Sequence, residues 1–342
     1  MGTGHVMRGL ALAQAWQDSW GRAVFAMAAT TPAVTERLQT ESCEVRALSV
    51  TPGSQEDSGQ TIALARELHA EWVVVDGYQF GGDYQRALKA AGCKVLFVDD
   101  YGHAGRYSAD LVLNQNVNAD DRPYKDRESY TRLLLGTRYC LLRREFNSWR
   151  RWKREIPATG RKVLIAMGGS DPGNFTQVAM RALRLVQGPR LETTVVVGGS
   201  NPHWASLRKS ASEFAGSLQL RRDVADMAGL MAEADVAVSA AGTVCWEMCL
   251  LGLPALLIHV AENQRAVAEG LDGQGCAIHL GNLKDVSAEK VASPLQRLLN
   301  SLETRRSLSR HARELVDGEG AKRLVSAMSR EEPSLSPASR TE

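Results

Sequence analysis

The stretch "VLIAMGGSDPGNFTQVAMRAL" (Val163–Leu183) decides the fold. Its opening run, Lys162–Met167 with the preceding lysine, is apolar without polar alternation, the pattern of a strand buried on both faces in a parallel sheet. Gly168, Gly169 and Ser170 follow, and a helix is expected from Asn174–Phe175. Two glycines let the backbone turn tightly and expose its N–H groups. Ser170 adds a hydroxyl, and a helix N-terminus adds positive potential. The combination suits a diphosphate. No Gly-Lys-Ser/Thr follows, as a Walker loop requires, and the spacing is not Gly-x-Gly-x-x-Gly. Taken alone, the loop is equally an ordinary strand-to-helix turn.

The same alternation runs outward in both directions. Strands are expected at Ala23–Ala28, Trp72–Val75, Val95–Val98 and Leu111–Leu113, then at Lys162–Met167, Glu192–Val197, Val236–Ser239 and Ala255–His259. Amphipathic segments such as Thr61–Ala70 and Asp83–Ala91 lie between them. Continuous apolar strands alternating with helices mean an α/β fold with parallel sheets. The 342 residues suffice for two domains. "FNSWRRWKREIPATGR" (Phe146–Arg161) is basic, poor in apolar residues after Trp152, and reads as the linker. It separates an N-terminal domain over 1–150 from a C-terminal domain over 161–329. The polar, proline-containing stretch 330–342 reads as a disordered tail.

Further loops carry polar residues just past strand ends, where open α/β sheets bind ligands. In "ADVAVSAAGTVCWEMCLLGLPALLI" (Ala234–Ile258) a strand reaches Ser239 and a small-residue turn follows. Thr243 is placed to cap the next helix. Glu247 lies near that helix's start, where a carboxylate can accept both hydroxyls of a ribose, or simply complement the helix dipole. "HVAENQRAVAEGL" (His259–Leu271) sets Asn263 and Gln264 at another strand-to-helix junction. At the other end of the chain, "MGTGHVMRGLALAQAW" (Met1–Trp16) places Gly4 where the backbone can be approached closely. His5 stands at the mouth of a helix expected from near Val6, whose positive end favours a neutral base. A capping histidine is the plainer alternative. "VVVDGYQFG", "VLFVDDYGHAGRY" and "DLVLNQN" bring Asp76, Tyr78, Asp99, Asp100, Asn114 and Asn116 to one rim of a sheet, although each alone is a common turn or cap residue.

Bulk composition excludes several classes. The net charge is +2, from 41 basic and 39 acidic residues, which argues against nucleic acid as a partner. No apolar run approaches the ~18 residues of a membrane helix. Arg8, Gln14 and Gln17 interrupt any apolar signal-peptide core. Six scattered cysteines (Cys43, Cys93, Cys140, Cys245, Cys249, Cys276) read as reduced, buried thiols of a cytoplasmic protein. Cys245 and Cys249 lack a second ligand pair, so no metal is expected.

Together, "GTGHVMRGLALA", "VVDGYQF", "VDDYGHAGRY", "DLVLNQN", "LLGTRYCLLRREF" (Leu134–Phe146), "MGGSDPGN", "VVVGGSNPH", "AGLMAEADVAVSAAGTVCWEMCLLGLP" and "ENQ" closely resemble one family. It is the UDP-2,4-diacetamido-2,4,6-trideoxy-β-L-altropyranose hydrolase family of pseudaminic acid biosynthesis, with related spore-coat polysaccharide proteins. The resemblance implies a GT-B arrangement, two Rossmann-like domains facing across a cleft. It further implies cleavage of the sugar C1–O bond of a UDP-sugar with inversion, with no essential metal. No cofactor is expected, and the sequence leaves the oligomeric state open, a monomer included. His5 would be the base that activates water, and Tyr78 would lie beside the sugar with Gly4, Arg8, Asp76 and Asn114. Gly168, Gly169 and Ser170 would meet the diphosphate, Ser239, Thr243 and Glu247 the nucleoside, and Asn263 and Gln264 the cleft. A UDP-sugar glycosyltransferase and an inactive UDP-sugar binder are the alternatives. Two features depart from the family. Gly9 stands where cysteine is usual, and no strand precedes the Gly-x-Gly-His loop. The expectation is a recorded start downstream of the true one, with the first strand of the N-terminal sheet encoded upstream.

Overall fold

The computed structural model describes residues 3–188, 190–214, 217–222 and 224–329. The tail expected at 330–342 and any strand before the first loop lie outside the described residues. The first half runs α1 (Thr3–Gln17), β1 (Val24–Met27), α2 (Pro32–Thr40), β2 (Glu44–Ala47), α3 (Gln55–Glu67), β3 (Trp72–Asp76), α4 (Gly82–Ala90), β4 (Lys94–Val98), β5 (Leu111–Asn114) and β6 (Arg132–Leu135). The second runs β7 (Lys162–Ala166), α5 (Phe175–Leu183), β8 (Glu192–Val197), α6 (Trp204–Ala211), β9 (Leu218–Arg222), α7 (Met227–Glu233), β10 (Val236–Ala240), α8 (Val244–Leu250), β11 (Ala255–His259), α9 (Glu262–Gly273), β12 (Ile278–Asn282), α10 (Ala288–Asn300), α11 (Leu302–Leu315) and α12 (Gly320–Ser329).

The second half folds as a six-stranded sheet in the order β12-β11-β10-β7-β8-β9, every pair parallel. Its chain starts at β7 and places β8 on one side and β10 on the other. That reversal opens a crevice between the loops that follow β7 and β10, where an α/β sheet can admit a ligand. The first half holds a parallel β3-β4-β5-β6 sheet and a separate parallel pair, β1-β2. On β3, Val74 is 42% exposed despite its apolar run.

All eight expected strands are present, and four more join them: β2, β6, β9 and β12. Each of the four lies at the margin of its sheet. A marginal strand packs one edge and part of its faces against water, so it tolerates charge, as in Glu44-Val45-Arg46-Ala47 and Leu218-Gln219-Leu220-Arg221-Arg222. The continuous apolar signal is therefore lost there. Helix α1 begins at Thr3, three residues ahead of expectation. Gly9 sits inside it, and a methyl group there would approach the Phe25 ring to 3.3 Å. Glycine lets α1 close on β1.

The linker is pinned to the second half. Trp149 and Trp152 pack against its core. Arg154 donates to the carbonyls of Met231 (2.6 Å) and Leu251 (2.9 Å), and also to Ala232 and Ala234, closing the ends of α7 and α8. The chain then crosses back. Leu324, Val325 and Met328 of α12 share a core with Ala11 and Leu12 of α1 and with Leu96 and Leu113 of the first sheet. Leu324 is completely buried there. Leu324→Ala is expected to cost about 2–5 kcal/mol, read as a lowered midpoint in urea unfolding followed through the first half.

Candidate active site in the cleft

Because α1 is helical from Thr3, His5 and Arg8 lie one turn apart on one face. That face meets the carboxyl ends of β3 and β4. His5 Nδ1 lies 2.6 Å from Asp76 Oδ1. Arg8 grips the same carboxylate with two donors, Nε to Oδ2 at 2.6 Å and Nη2 to Oδ1 at 2.6 Å. Its third donor, Nη1, reaches Asp100 Oδ1 at 2.8 Å. Tyr78 donates its hydroxyl to Asp100 Oδ2 at 2.7 Å. Asn263, from the second half, donates to the Tyr78 oxygen at 2.8 Å. A continuous chain therefore runs from His5 through Asp76, Arg8, Asp100 and Tyr78 to the far wall of the cleft.

The charges of this chain depend on one another. Burial opposes ionisation of Asp76, yet Arg8 outweighs it and holds the carboxyl below its usual range. Burial likewise opposes the Arg8 charge, and Asp76 with Asp100 more than restore it. Burial and the neighbouring Asp100 push the Tyr78 hydroxyl up, so it stays protonated and donates. Arg8 Nη2 also lies 3.1 Å from His5 Nδ1. An ionised carboxylate can only accept, so the 2.6 Å contact to Asp76 assigns a proton to Nδ1, which Nδ1 donates to Asp76, and the Arg8 Nη2 contact is then a close approach and not a hydrogen bond. That tautomer leaves Nε2 with its lone pair, the form a general base needs.

Asp99 does different work from its neighbour. It is fully buried and accepts from the Tyr101 and Gly102 amides at 2.8 Å each and from the Tyr107 hydroxyl. Burial opposes its charge, but bonds from His103 and Tyr107 hold its carboxyl down to about 2. Asp99 shapes the loop that presents Asp100. Asn114, expected at the sugar, is buried. Its Nδ2 donates to the Tyr124 hydroxyl (2.8 Å) and to the Asp100 carbonyl (3.1 Å), while its Oδ1 accepts from the Asn116 amide (3.0 Å). Every polar atom is thus spent on the loop, and Asn114 supports the rim rather than facing the cleft. Asn116 Nδ2 also donates to the Asp100 carbonyl at 3.1 Å.

On the opposite wall, Gly168 lies two residues past the end of β7, and glycine adopts its φ of +80° without strain. Gly169 is backed by Gly198, from the loop after β8. A methyl group on Gly198 would fall 2.4 Å from the Gly169 carbonyl oxygen. The first turn of α5 is already occupied. Buried Asp171 accepts from the Phe175 and Thr176 amides at 2.9 Å each and from the Thr176 hydroxyl at 2.6 Å. The helix end expected to cradle an anion is therefore capped from within by Asp171.

Two expectations for the next turn are corrected. Ser239 is fully buried in β10 and donates its hydroxyl to Ala166 of β7 at 2.6 Å, so it ties two strands together and does not reach the cleft. Thr243 makes no side-chain cap bond to α8. It faces Gly4 instead, where its Oγ1 would lie 3.3 Å from a methyl group. Gln264 folds back, accepting from the Val260 amide at 3.0 Å. Glu247 accepts from Arg143 Nη2 at 2.9 Å, an ion pair that spans the two halves. Arg143 was not anticipated individually, although a basic residue inside the apolar run of "YCLLRREF" is a signal of a buried ion pair.

Over 235 residues, 68% of this chain and 68% of the relative, the sequence is 31% identical to the spore coat polysaccharide biosynthesis protein SpsG of Bacillus subtilis. The chain belongs to the SpsG family. Within this SpsG-family chain, residues 163–327 match the model of the glycosyltransferase family 28 C-terminal domain. The fold is similar to that of MurG from Acinetobacter baumannii, with a TM-score of 0.66, 16% identity and coverage of 95% and 96% of the two chains. It is also similar to Anabaena HepE, solved in complex with UDP and glucose, with a TM-score of 0.62, 13% identity and 95% of each chain covered. The fold is thus GT-B-like, with two Rossmann-like halves and parallel sheets. No helix among the described residues is long and apolar enough to cross a membrane.

Gly198→Ala should force the Gly168–Ser170 loop out of place and cost about 1–3 kcal/mol, the range for overpacking. Gly242→Ala, where the nearest neighbouring atom would be 3.8 Å away, should leave the chemical unfolding midpoint unchanged and serves as the control.

Proposed function

We propose that this protein hydrolyses a UDP-linked 6-deoxy di-N-acetyl amino sugar to UDP and the free sugar, a step of pseudaminic acid biosynthesis. The observation that carries the reading is the His5–Asp76 pair at the cleft rim, with no hydrogen bond engaging imidazole Nε2 among the described residues and a crevice of the α/β type opposite. Support for a UDP-sugar comes from the family resemblance of the motifs and from UDP in the related fold of HepE.

In this reading UDP lies along the second half. Ribose hydroxyls donate to Glu247, and the N–H groups of Gly168–Ser170 meet the diphosphate. The sugar lies between Tyr78, Asn263 and the His5 ring, which packs edge-on to Tyr78 with centroids 5.1 Å apart. His5 Nε2 takes a proton from a water molecule as its oxygen bonds to C1 from the face opposite UDP. The C1–O bond breaks, and its electron pair leaves on the β-phosphate. Configuration at C1 is inverted. Asp76 keeps its charge throughout and stabilises the imidazolium that forms. The charge developing on the diphosphate meets oriented donors, which is enough for so good a leaving group.

The test is UDP release from the UDP-sugar with and without acceptors, with proton NMR of the first anomer formed. Release without any acceptor, giving the inverted anomer, is expected. Release that requires an acceptor identifies a transferase instead, and no release identifies a binder. His5→Ala should lower turnover by ~10²–10⁴ while the Kd for UDP stays unchanged, because the base and the nucleotide occupy opposite walls.

A further inference from the structure

The run "LLGTRYCLLRREF" (Leu134–Phe146) belongs to neither wall of the proposed reaction, yet it carries a buried arginine. Leu141, Leu142 and Phe146 anchor it in the core, and Arg143 is only 8% exposed. The Arg143 guanidinium lies 5.5 Å from the centre of the Phe146 ring and touches the Met7 sulfur of α1. Its Nη2 points across the cleft to Glu247 Oε1 at 2.9 Å, with Glu145 Oε1 at 3.3 Å. Glu145 has a second cation, Arg37 of α2, at 3.0 Å. Arg143 therefore keeps charge to spare for Glu247. Only Oε1 is taken. Among the described residues, no hydrogen bond engages Glu247 Oε2.

We propose that Arg143 is a positioning residue: it reaches from the first half to hold the Glu247 carboxylate ionised and aimed at the nucleoside ribose, which ties nucleotide binding to closure of the cleft. The proposal rests on the reading that Glu247 meets the ribose. Its physical basis is a balance of two effects. Both ribose hydroxyls must donate, and only an ionised carboxylate accepts from both while still accepting from Arg143. Burial pushes the Glu247 carboxyl up, and Arg143 opposes that push. The other groups facing it do not help. Glu145 repels it, the Cys245 thiol on its own helix is kept neutral by burial, and Met7 is uncharged. Without Arg143, burial and Glu145 act unopposed, and the carboxyl holds its proton to higher pH.

Calorimetry with UDP and with 2′,3′-dideoxy-UDP, at pH 6.5 and 8.5, tests this on the full chain. Wild type should prefer UDP over the dideoxy analogue at both pH values. Arg143→Met should weaken UDP binding roughly 10- to 100-fold at pH 6.5, the span for hydrogen bonds to a charged acceptor, and should abolish the preference. The deficit should shrink at pH 8.5 as Glu247 ionises. Arg143→Lys, which keeps the charge, should recover most of the affinity. Glu247→Gln should bind weakly at both pH values, and adding Arg143→Met to it should change little, because the two residues act through one interaction. The proposal is overturned if Arg143→Met retains the preference for UDP, or if its loss is the same at both pH values and adds to that of Glu247→Gln. A wild type that binds UDP without preferring it to the dideoxy form overturns the ribose reading and with it this role. A wild type that does not bind UDP overturns the proposed substrate as well.

Discussion

The buried Arg8 guanidinium is the interaction on which the site depends. It distributes three donors over two carboxylates, Asp76 and Asp100, that come from different strand ends. Either acid alone beside the other would repel its neighbour in a dry rim. With Arg8 between them, Asp76 can orient His5 and Asp100 can hold Tyr78. Burial penalises the Arg8 and Asp76 charges separately, and the attraction of their partners restores both. The His5–Asp76 pair, the hold on Tyr78 and the bridge to Asn263 are thus three consequences of one placement, which α1 makes by starting at Thr3 and presenting positions 5 and 8 on one face.

A second constraint is that the halves are joined through polar contacts at the cleft rather than through a broad apolar interface alone. Tyr78 meets Asn263, Arg143 meets Glu247, and Thr243 faces Gly4. The chain itself crosses twice, once through the pinned linker and once as α12 returns to the first core. Motion between the halves must therefore exchange side-chain partners at the rim.

Sequence patterning was most legible where burial was most complete. Inner strands such as Val95–Val98 and Ala255–Ile258 are apolar without interruption, and their positions follow directly. The four strands that escaped are marginal ones whose runs are broken by polar residues, among them Glu44, Arg132, Gln219 and His279, whereas the marginal β1 and β3 keep apolar runs. At the site, the pattern of acids after β3 and β4 was readable, and so was the Gly168–Ser170 loop. The division of labour was not. Asp99 and Asp100 are adjacent and chemically identical, but one bonds its own loop and the other faces Arg8 and Tyr78. Asn114 and Ser239 stand at strand ends, as ligand-binding residues do, and both are consumed by internal hydrogen bonds.

What the sequence by itself determined is the alternation of buried strands and helices, the two-part α/β organisation, and the set of residues that fall at strand carboxyl ends. These follow from periodicity and local turn chemistry, which depend on near neighbours along the chain. Tertiary structure alone decided which of those residues share a proton or a charge. His5 meets Asp76 across 71 positions, Arg143 meets Glu247 across 104, and Tyr78 meets Asn263 across 185. Pairings at such separations are set by how sheets stack and how the halves close, and a side chain's charge and hydrogen-bonding capacity are set by the partner it finds there.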